Sequence, residues 1–332
     1  MIPRELVKSA LTHQPGQPVP YTIQLTVEGY QAYGDDLLKT FATAEILADY
    51  QRGRIPKNEA VSLAIGNHMF CTGCPWWNWH NLTEEYLTSP DAPAELPQTI
   101  GYGSYEAFFD KIKYVREKYG RYILITIWGS HWEKAYFSRG IENFLSDIAG
   151  NPTFAQRLLD DIIRKNLVML ENIINCPDID GILLGSDWGT QANLIMSPRT
   201  WRKMIAPGEQ KEYDLLKKHA KDVFVHSCGD IRLIMPDLVQ MGVDALNPVQ
   251  PECMDIAELK EKYGGRITFW GGISTQRTLP YGTVAEVEQE VADVIRVLSH
   301  NGGYITSPSQ EIQTDVPYAN LIALIESAKK FT

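Results

Sequence analysis

The stretch FVHSCGD, residues 224–230, sets a histidine and a cysteine two positions apart at the end of an apolar run. In an extended strand His226 and Cys228 point to the same face. Neutral imidazole and thiolate are the usual pair of zinc donors, and a catalytic zinc needs three protein ligands plus one open position. The same two residues also suit a core histidine and an inert buried cysteine, so the third ligand decides the chemistry. A second candidate pair, Cys71 and Cys74 in FCTGCPWWNWH, forms a CxxC, a spacing that serves metal or redox sites. Joined to the first pair it would make Cys3His, a closed structural site with no open position.

Other residues could bind or transfer protons. Trp76, Trp77, Trp79 and His80 crowd five positions and could wall a planar substrate, or anchor their own loop. Asp187 in GSDWGTQ could orient His226 through its other ring nitrogen, act as acid or base, or cap a helix. Asn247 and Gln250 in ALNPVQ carry amides suited to hydrogen-bonding a substrate. Trp128, Trp270 and Gln310 are expected as substrate contacts, and His131 reads as a loop histidine rather than a ligand.

These residues need a scaffold that brings them to one place. GILLGSD (181–187), VFVHSCG (223–229), ALNPVQ (245–250), ITFWGGI (267–273) and YITSPS (304–309) are short apolar runs ending in small or polar residues. YILITIWG (122–129) is a further strand, and VPYTIQL (19–25) and VSLAIGNHMF (61–70) are weaker ones. Amphipathic stretches lie between, clearest in VAEVEQEVADVIRVLSHNGG, where Val284, Val287, Val291, Val294, Ile295 and Leu298 repeat at helical spacing before Gly302 and Gly303. Ser197 and Pro198 mark another helix start. Strands alternating with helices give βαβ units and a parallel sheet. Near eight strands predict an α/β fold, a (β/α)8 TIM barrel with an N-terminal helical extension, in one domain over residues 1–332. A doubly wound sheet lacks its Gly-rich phosphate loop here. In a barrel the chemistry sits on the loops at the C-terminal strand ends. Those ends read, in order, His68, Cys71, Cys74 and Trp76; Trp128 and His131; Asp187; His226 and Cys228; Asn247 and Gln250; Trp270 and Ser274; Ser307, Ser309, Gln310 and Glu311.

The 332 residues are 44% hydrophobic and carry a formal net charge of −10, with no basic block to attract nucleic acid or an anionic membrane. The N-terminus has no apolar segment of the signal-peptide kind, and no window approaches the length of a membrane span. Five cysteines, an odd number, do not read as a disulfide framework. A cytoplasmic enzyme is expected.

Three stretches carry a family likeness: VFVHSCGDIRLIMPDLVQMGVDALNPVQ, ITFWGGISTQRTLP and GGYITSPSQEIQTDVPYANLIALIESA. They resemble the uroporphyrinogen decarboxylase superfamily, closest to its corrinoid-associated methyltransferase branch. RELVKSALTHQPGQPVP is similar to that branch's opening. The resemblance implies a (β/α)8 barrel, which agrees with the strand count. It also implies zinc held by His-x-Cys and a distant cysteine after the last strand, activating an acceptor thiol. His226 and Cys228 match the first part, but Ser309 and Gln310 stand where the distant cysteine belongs. Cys253, after the next strand, and Glu311, one position further on, are the leading substitutes, ahead of the CxxC pair.

The function so implied is methyl transfer between a corrinoid on a small partner protein and a small-molecule donor or a thiol or pterin acceptor. This chain has no DxHxxG stretch for binding cobalamin itself. Homodimers are common among such proteins. Uroporphyrinogen decarboxylase proper is the alternative, yet the corresponding region, YTIQLTVEGYQAYGDD, has no arginine to grip substrate carboxylates. A non-catalytic ligand-binding barrel is the third possibility.

Overall fold

The computed structural model describes residues 1–75, 89–90, 104–127, 129 and 131–332. Trp76, Trp77, Trp79, His80 and Trp128 lie outside the described residues, as does most of the Pro/Gly-rich stretch 90–104. Seven parallel strands follow one another in chain order: β1 Met69–Thr72, β2 Tyr122–Ile127, β3 Gly181–Gly185, β4 Asp222–His226, β5 Ala245–Val249, β6 Thr268–Ile273 and β7 Tyr304–Pro308. The sheet curls until an eighth, irregular stave at residues 20–25 fills the gap between β7 and β1. Thr22 N–H donates to the Thr306 carbonyl (3.0 Å), Thr306 N–H to Pro20 (2.8 Å), and His68 N–H to Tyr21 (3.0 Å). The fold is an α/β barrel of the (β/α)8 kind.

Alternation along the strands sorts side chains into an outer and an inner set. The outward apolar residues pack under the helices as the main core. The inward set, among them Met69, Tyr122, Leu124, Phe224, Ala245, Trp270 and Ile305, fills the barrel itself. Val7 and Ala10 of helix Pro3–Leu11 join this inner cluster, so the N-terminal extension plugs the N-terminal mouth. The C-terminal mouth is left open.

Helix starts follow their capping residues. Ser197 accepts a hydrogen bond from Thr200 N–H with Pro198 in the first turn, and Thr283 with Glu286 forms a capping box ahead of Val284–Leu298. The stretch 61–70, read from sequence as one strand, splits in two. Lys57–Ala64 is a helix, Gly66 turns the chain at φ +92°, and β1 begins at Met69. An apolar run broken only by a glycine gives no periodicity to tell a buried helix end from a strand. His68 consequently enters β1 at its N-terminal end, at the opposite mouth from the one expected, where burial pushes its imidazole down to about 4.

The bottom of the barrel is fastened electrostatically. Asp180, 2% exposed, accepts from Arg4 Nε (2.8 Å), the Arg116 guanidinium and the N–H of Ile123 (2.9 Å). Removing one partner of a buried pair strands the other charge. Asp180→Asn is expected to cost about 3 kcal/mol of stability in urea unfolding, far more than an exposed carboxylate change would.

Candidate functional site

Three loops converge at the C-terminal mouth, and the register of the ladder decides what meets there. Gly185, His226 and Asn247 are abreast on β3, β4 and β5. Gly185 brings no side chain, so the inward imidazole of His226 has room beside it. Asn247 lies against its other side, with Oδ1 2.7 Å from His226 Nδ1. The Asn247 amide nitrogen donates to the Trp270 carbonyl at 3.1 Å. A carbonyl can only accept, so the orientation of the amide is set, and its oxygen must face the imidazole. His226 Nδ1 then carries the proton and Nε2 offers its lone pair.

That lone pair meets two other donors. Cys228 Sγ is 3.4 Å from Nε2 and Asp187 Oδ1 is 3.6 Å from it. The candidate ligand atoms of all three residues lie within 4.8 Å of one another. Zinc bonds of 2.0–2.3 Å at tetrahedral angles put ligand atoms about 3.3–3.8 Å apart, so the spacing fits such an ion with little movement. Oxygen, nitrogen and sulfur donors leave a fourth position toward the mouth, where Asp187 is 39% and His226 20% exposed.

Backbone contacts hold the donors. Asp187 Oδ1 accepts the Cys228 N–H at 2.8 Å, and Ser227 Oγ accepts the N–H of Trp188 at 3.1 Å. The loops after β3 and β4 touch main chain to main chain at Gly189 and Gly229. A methyl on Gly189 would fall 2.5 Å from the Cys228 carbonyl oxygen, and Gly229 takes φ +83°. Only glycines permit that approach. Gln250 Oε1 accepts the Gly229 N–H, so this amide supports the ligand loop.

The field around the sulfur is negative. Burial first, then the charge and hydrogen bonding of Asp187 and the charge of Glu133, push the Cys228 thiol well above its ordinary value. Gln310 opposes this, its Nε2 donating to Cys228 Sγ at 3.4 Å. Glu133, in the helix His131–Arg139 after β2, was not singled out from sequence. It is buried, and burial and the charge of Asp187 raise its carboxyl to about 7. Tyr136 hydroxyl donates to it at 3.2 Å. A charged residue in a helix with little amphipathic contrast was the one available signal.

The remaining expected residues are placed elsewhere. Cys253 Sγ lies 3.4 Å from Gln191 Oε1, and Glu311 borders a different part of the mouth. Neither is among the three residues that meet at His226 and Cys228. Gln250 draws the loop 250–254 onto the Gly229 turn, which leaves the Cys253 sulfur on the outside of it. Ser309 is buried against Thr275 at 3.2 Å, so Gln310 is the residue of SPSQ that reaches the site. Trp270 is inside the barrel, its ring edge-on to Phe224, two residues below His226. Cys71 and Cys74 line the mouth further round, with thiols pushed up by burial. His131 begins a helix rather than a loop and is fully buried, its Nδ1 3.1 Å from Glu209 Oε1. Glu212 and Lys134 join that cluster, which supplies its own cation.

With this geometry established, the chain belongs to the uroporphyrinogen decarboxylase family, whose model (Uroporphyrinogen decarboxylase, URO-D) matches residues 82–331. The structure is similar to that of a methyltransferase from Methanosarcina mazei, with a TM-score of 0.70, 17% identity, and coverage of 100% of this chain and 99% of that one. At that identity the likeness is one of fold. An AP endonuclease of family 2 from Brucella melitensis overlays loosely, with a TM-score of 0.36 and 14% identity over 64% of this chain and 82% of that one. A D-psicose 3-epimerase reaches 0.39 and 10% identity over 90% of each chain. Neither of these two bears on function. No curated protein matches the sequence.

The amide behind the imidazole yields a direct expectation. Asn247→Ala leaves every proposed ligand in place but frees the histidine ring. It should weaken zinc binding about 10- to 100-fold in a chelator competition while changing the far-ultraviolet circular dichroism little.

Proposed function

We propose that this protein is a methyltransferase that moves a methyl group between a corrinoid on a small partner protein and a small molecule at the barrel mouth, using zinc held by Asp187, His226 and Cys228. The observation that carries the reading is the convergence of three unlike donors on one point, with the imidazole tautomer already set for a metal. Family membership and the fold shared with the Methanosarcina mazei methyltransferase support it.

The donor set departs from the branch the sequence resembles, and the departure is chemically balanced. Asp187 supplies the anionic charge that the distant cysteine would bring, while Gln310 takes the cysteine's place in the chain and contacts Cys228. The site thus keeps two anionic ligands and one neutral one. When bound, zinc supplies Lewis acidity, lowering the pKa of a thiol or water in the open position. The protein's own residues do the positioning. Asn247 holds the imidazole, the Cys228 N–H anchors Asp187, and Gln310 donates to the Cys228 sulfur, drawing off part of its charge. Glu133, titrating about neutrality next to Asp187, is placed to hold a proton as the charge of the site changes.

The decarboxylase reaction that names the family has weaker support. Residues 21–36, where those enzymes carry an Arg-rich motif, contain no arginine in this chain. They form the closing stave and part of the helix Val27–Phe41. A substrate with many carboxylates would meet no cation from this segment.

Elemental analysis of the purified chain should find about one zinc per molecule. Cys228→Ser and Asp187→Asn should each lose it, whereas Cys253→Ser and Glu311→Gln should keep it. Zinc-free wild type, or loss in Cys253→Ser, would refute the assignment. Zinc affinity should also climb with pH. Cys228 is a protonated thiol until metal displaces the proton, so below its pKa each unit of pH should raise the affinity about tenfold, as read by competition between pH 6 and 8.

A further inference from the structure

The carboxylate of Asp187 is held through its own main chain as well as by Cys228. A peptide group is planar, so the one joining Asp187 to Trp188 is fixed once both its ends are bound. Its N–H donates to Ser227 Oγ at 3.1 Å, and its carbonyl accepts from the indole N–H of Trp132 at 3.1 Å. Ser227 lies between His226 and Cys228, so the first hold comes from the end of β4. The second comes from the other side of β3, from the second residue of the helix His131–Arg139 that follows β2.

The ring of Trp132 is itself fixed by packing. It is fully buried, edge-on to Tyr136 with 5.4 Å between ring centroids and tilted against Phe144 at 5.6 Å. Trp188, Trp201 and Trp270 are as deeply buried, yet their indole nitrogens have no hydrogen-bond partner among the described residues. Burial by itself therefore does not bring an indole an acceptor in this protein. The pairing with Asp187 follows from where the helix sets this ring. With the peptide plane fixed, only the side-chain torsions of Asp187 remain, and acceptance of the Cys228 N–H at 2.8 Å settles them.

We infer that Trp132 is a positioning residue, whose indole N–H fixes the peptide after Asp187 and thereby the place at which that carboxylate meets His226 and Cys228. That Asp187 then serves a metal rests on the function proposed above. The positioning itself does not.

The test is amide hydrogen exchange of the full-length protein, dialysed against chelator, followed at Cys228, whose N–H reports where the Asp187 carboxylate lies. Trp132→Phe keeps an aromatic ring in the slot and removes the donor. Asp187→Ala removes the acceptor. Each should speed exchange at Cys228 about tenfold, with the amides of β2 changing less. Trp132→Phe added to Asp187→Ala should speed it no further, because the two changes break one linkage. A merely structural tryptophan would give multiplied effects, or equal acceleration at Cys228 and in β2. Either result would overturn the inference, as would an unchanged Cys228 amide in Trp132→Phe. Should that variant fail to fold, Ser227→Ala frees the same peptide from its other end, and an undisturbed Cys228 amide there would sink the idea equally. The metal reading is separable. Where wild type holds zinc, Trp132→Phe should weaken it about 10- to 100-fold, and undiminished affinity would contradict the positioning. Zinc-free wild type would remove the metal reading and leave the exchange cycle to decide the role of Trp132.

Discussion

The register of three neighbouring strands is the constraint on which the site depends. A parallel ladder turns every second side chain inward, and a slip of one residue would send the whole set to the other face. With Gly185, His226 and Asn247 abreast, one strand contributes space, the next a candidate ligand, and the third the group that orients it. Asp187 and Cys228 then follow two residues beyond Gly185 and His226, so the same register brings both to one point. Gly189 and Gly229 finish the arrangement, because a single methyl on either would drive the two loops apart.

The electrostatics give that geometry a purpose. Two carboxylates, Asp187 and Glu133, surround a thiol that burial already keeps protonated. Without a cation the crowding is relieved by protons, on the thiol and, up to about neutrality, on Glu133. With a divalent cation the same groups become its stabilisers. In the proposed zinc site a carboxylate in place of a thiolate keeps the ligand charge while making the donor set harder. The site lies at the mouth of a barrel whose opposite end is closed by an amphipathic helix.

Much of this was legible in the sequence, for identifiable reasons. The strands from β2 to β7 are buried on both faces, so each reads as an unbroken apolar run with a polar end, and the polar ends fall at the functional mouth. His226 and Cys228 could be paired because residues two apart share a face. Glu311 and Cys253 are the third ligands that chain position suggests, because position is the only guide to a missing cysteine. Asp187 was visible at its strand end, but whether it orients the histidine or stands beside it as a donor depends on distances that spacing cannot supply. Gln310's contact with the sulfur depends in the same way on which of Ser309 and Gln310 turns inward. The first strand was misjudged because a helix end and a strand run together as one apolar stretch around Gly66, which carried His68 to the wrong mouth. Glu133 was hidden in a helix with little amphipathic contrast.

The most direct test of the central claim is the X-ray absorption spectrum of the zinc-loaded protein at the metal edge. One sulfur at about 2.3 Å with the remaining neighbours oxygen or nitrogen at about 2.0–2.1 Å is what Asp187, His226 and Cys228 predict. Two or more sulfurs would mean that Cys253 or the Cys71 and Cys74 pair is recruited, and would contradict the site described.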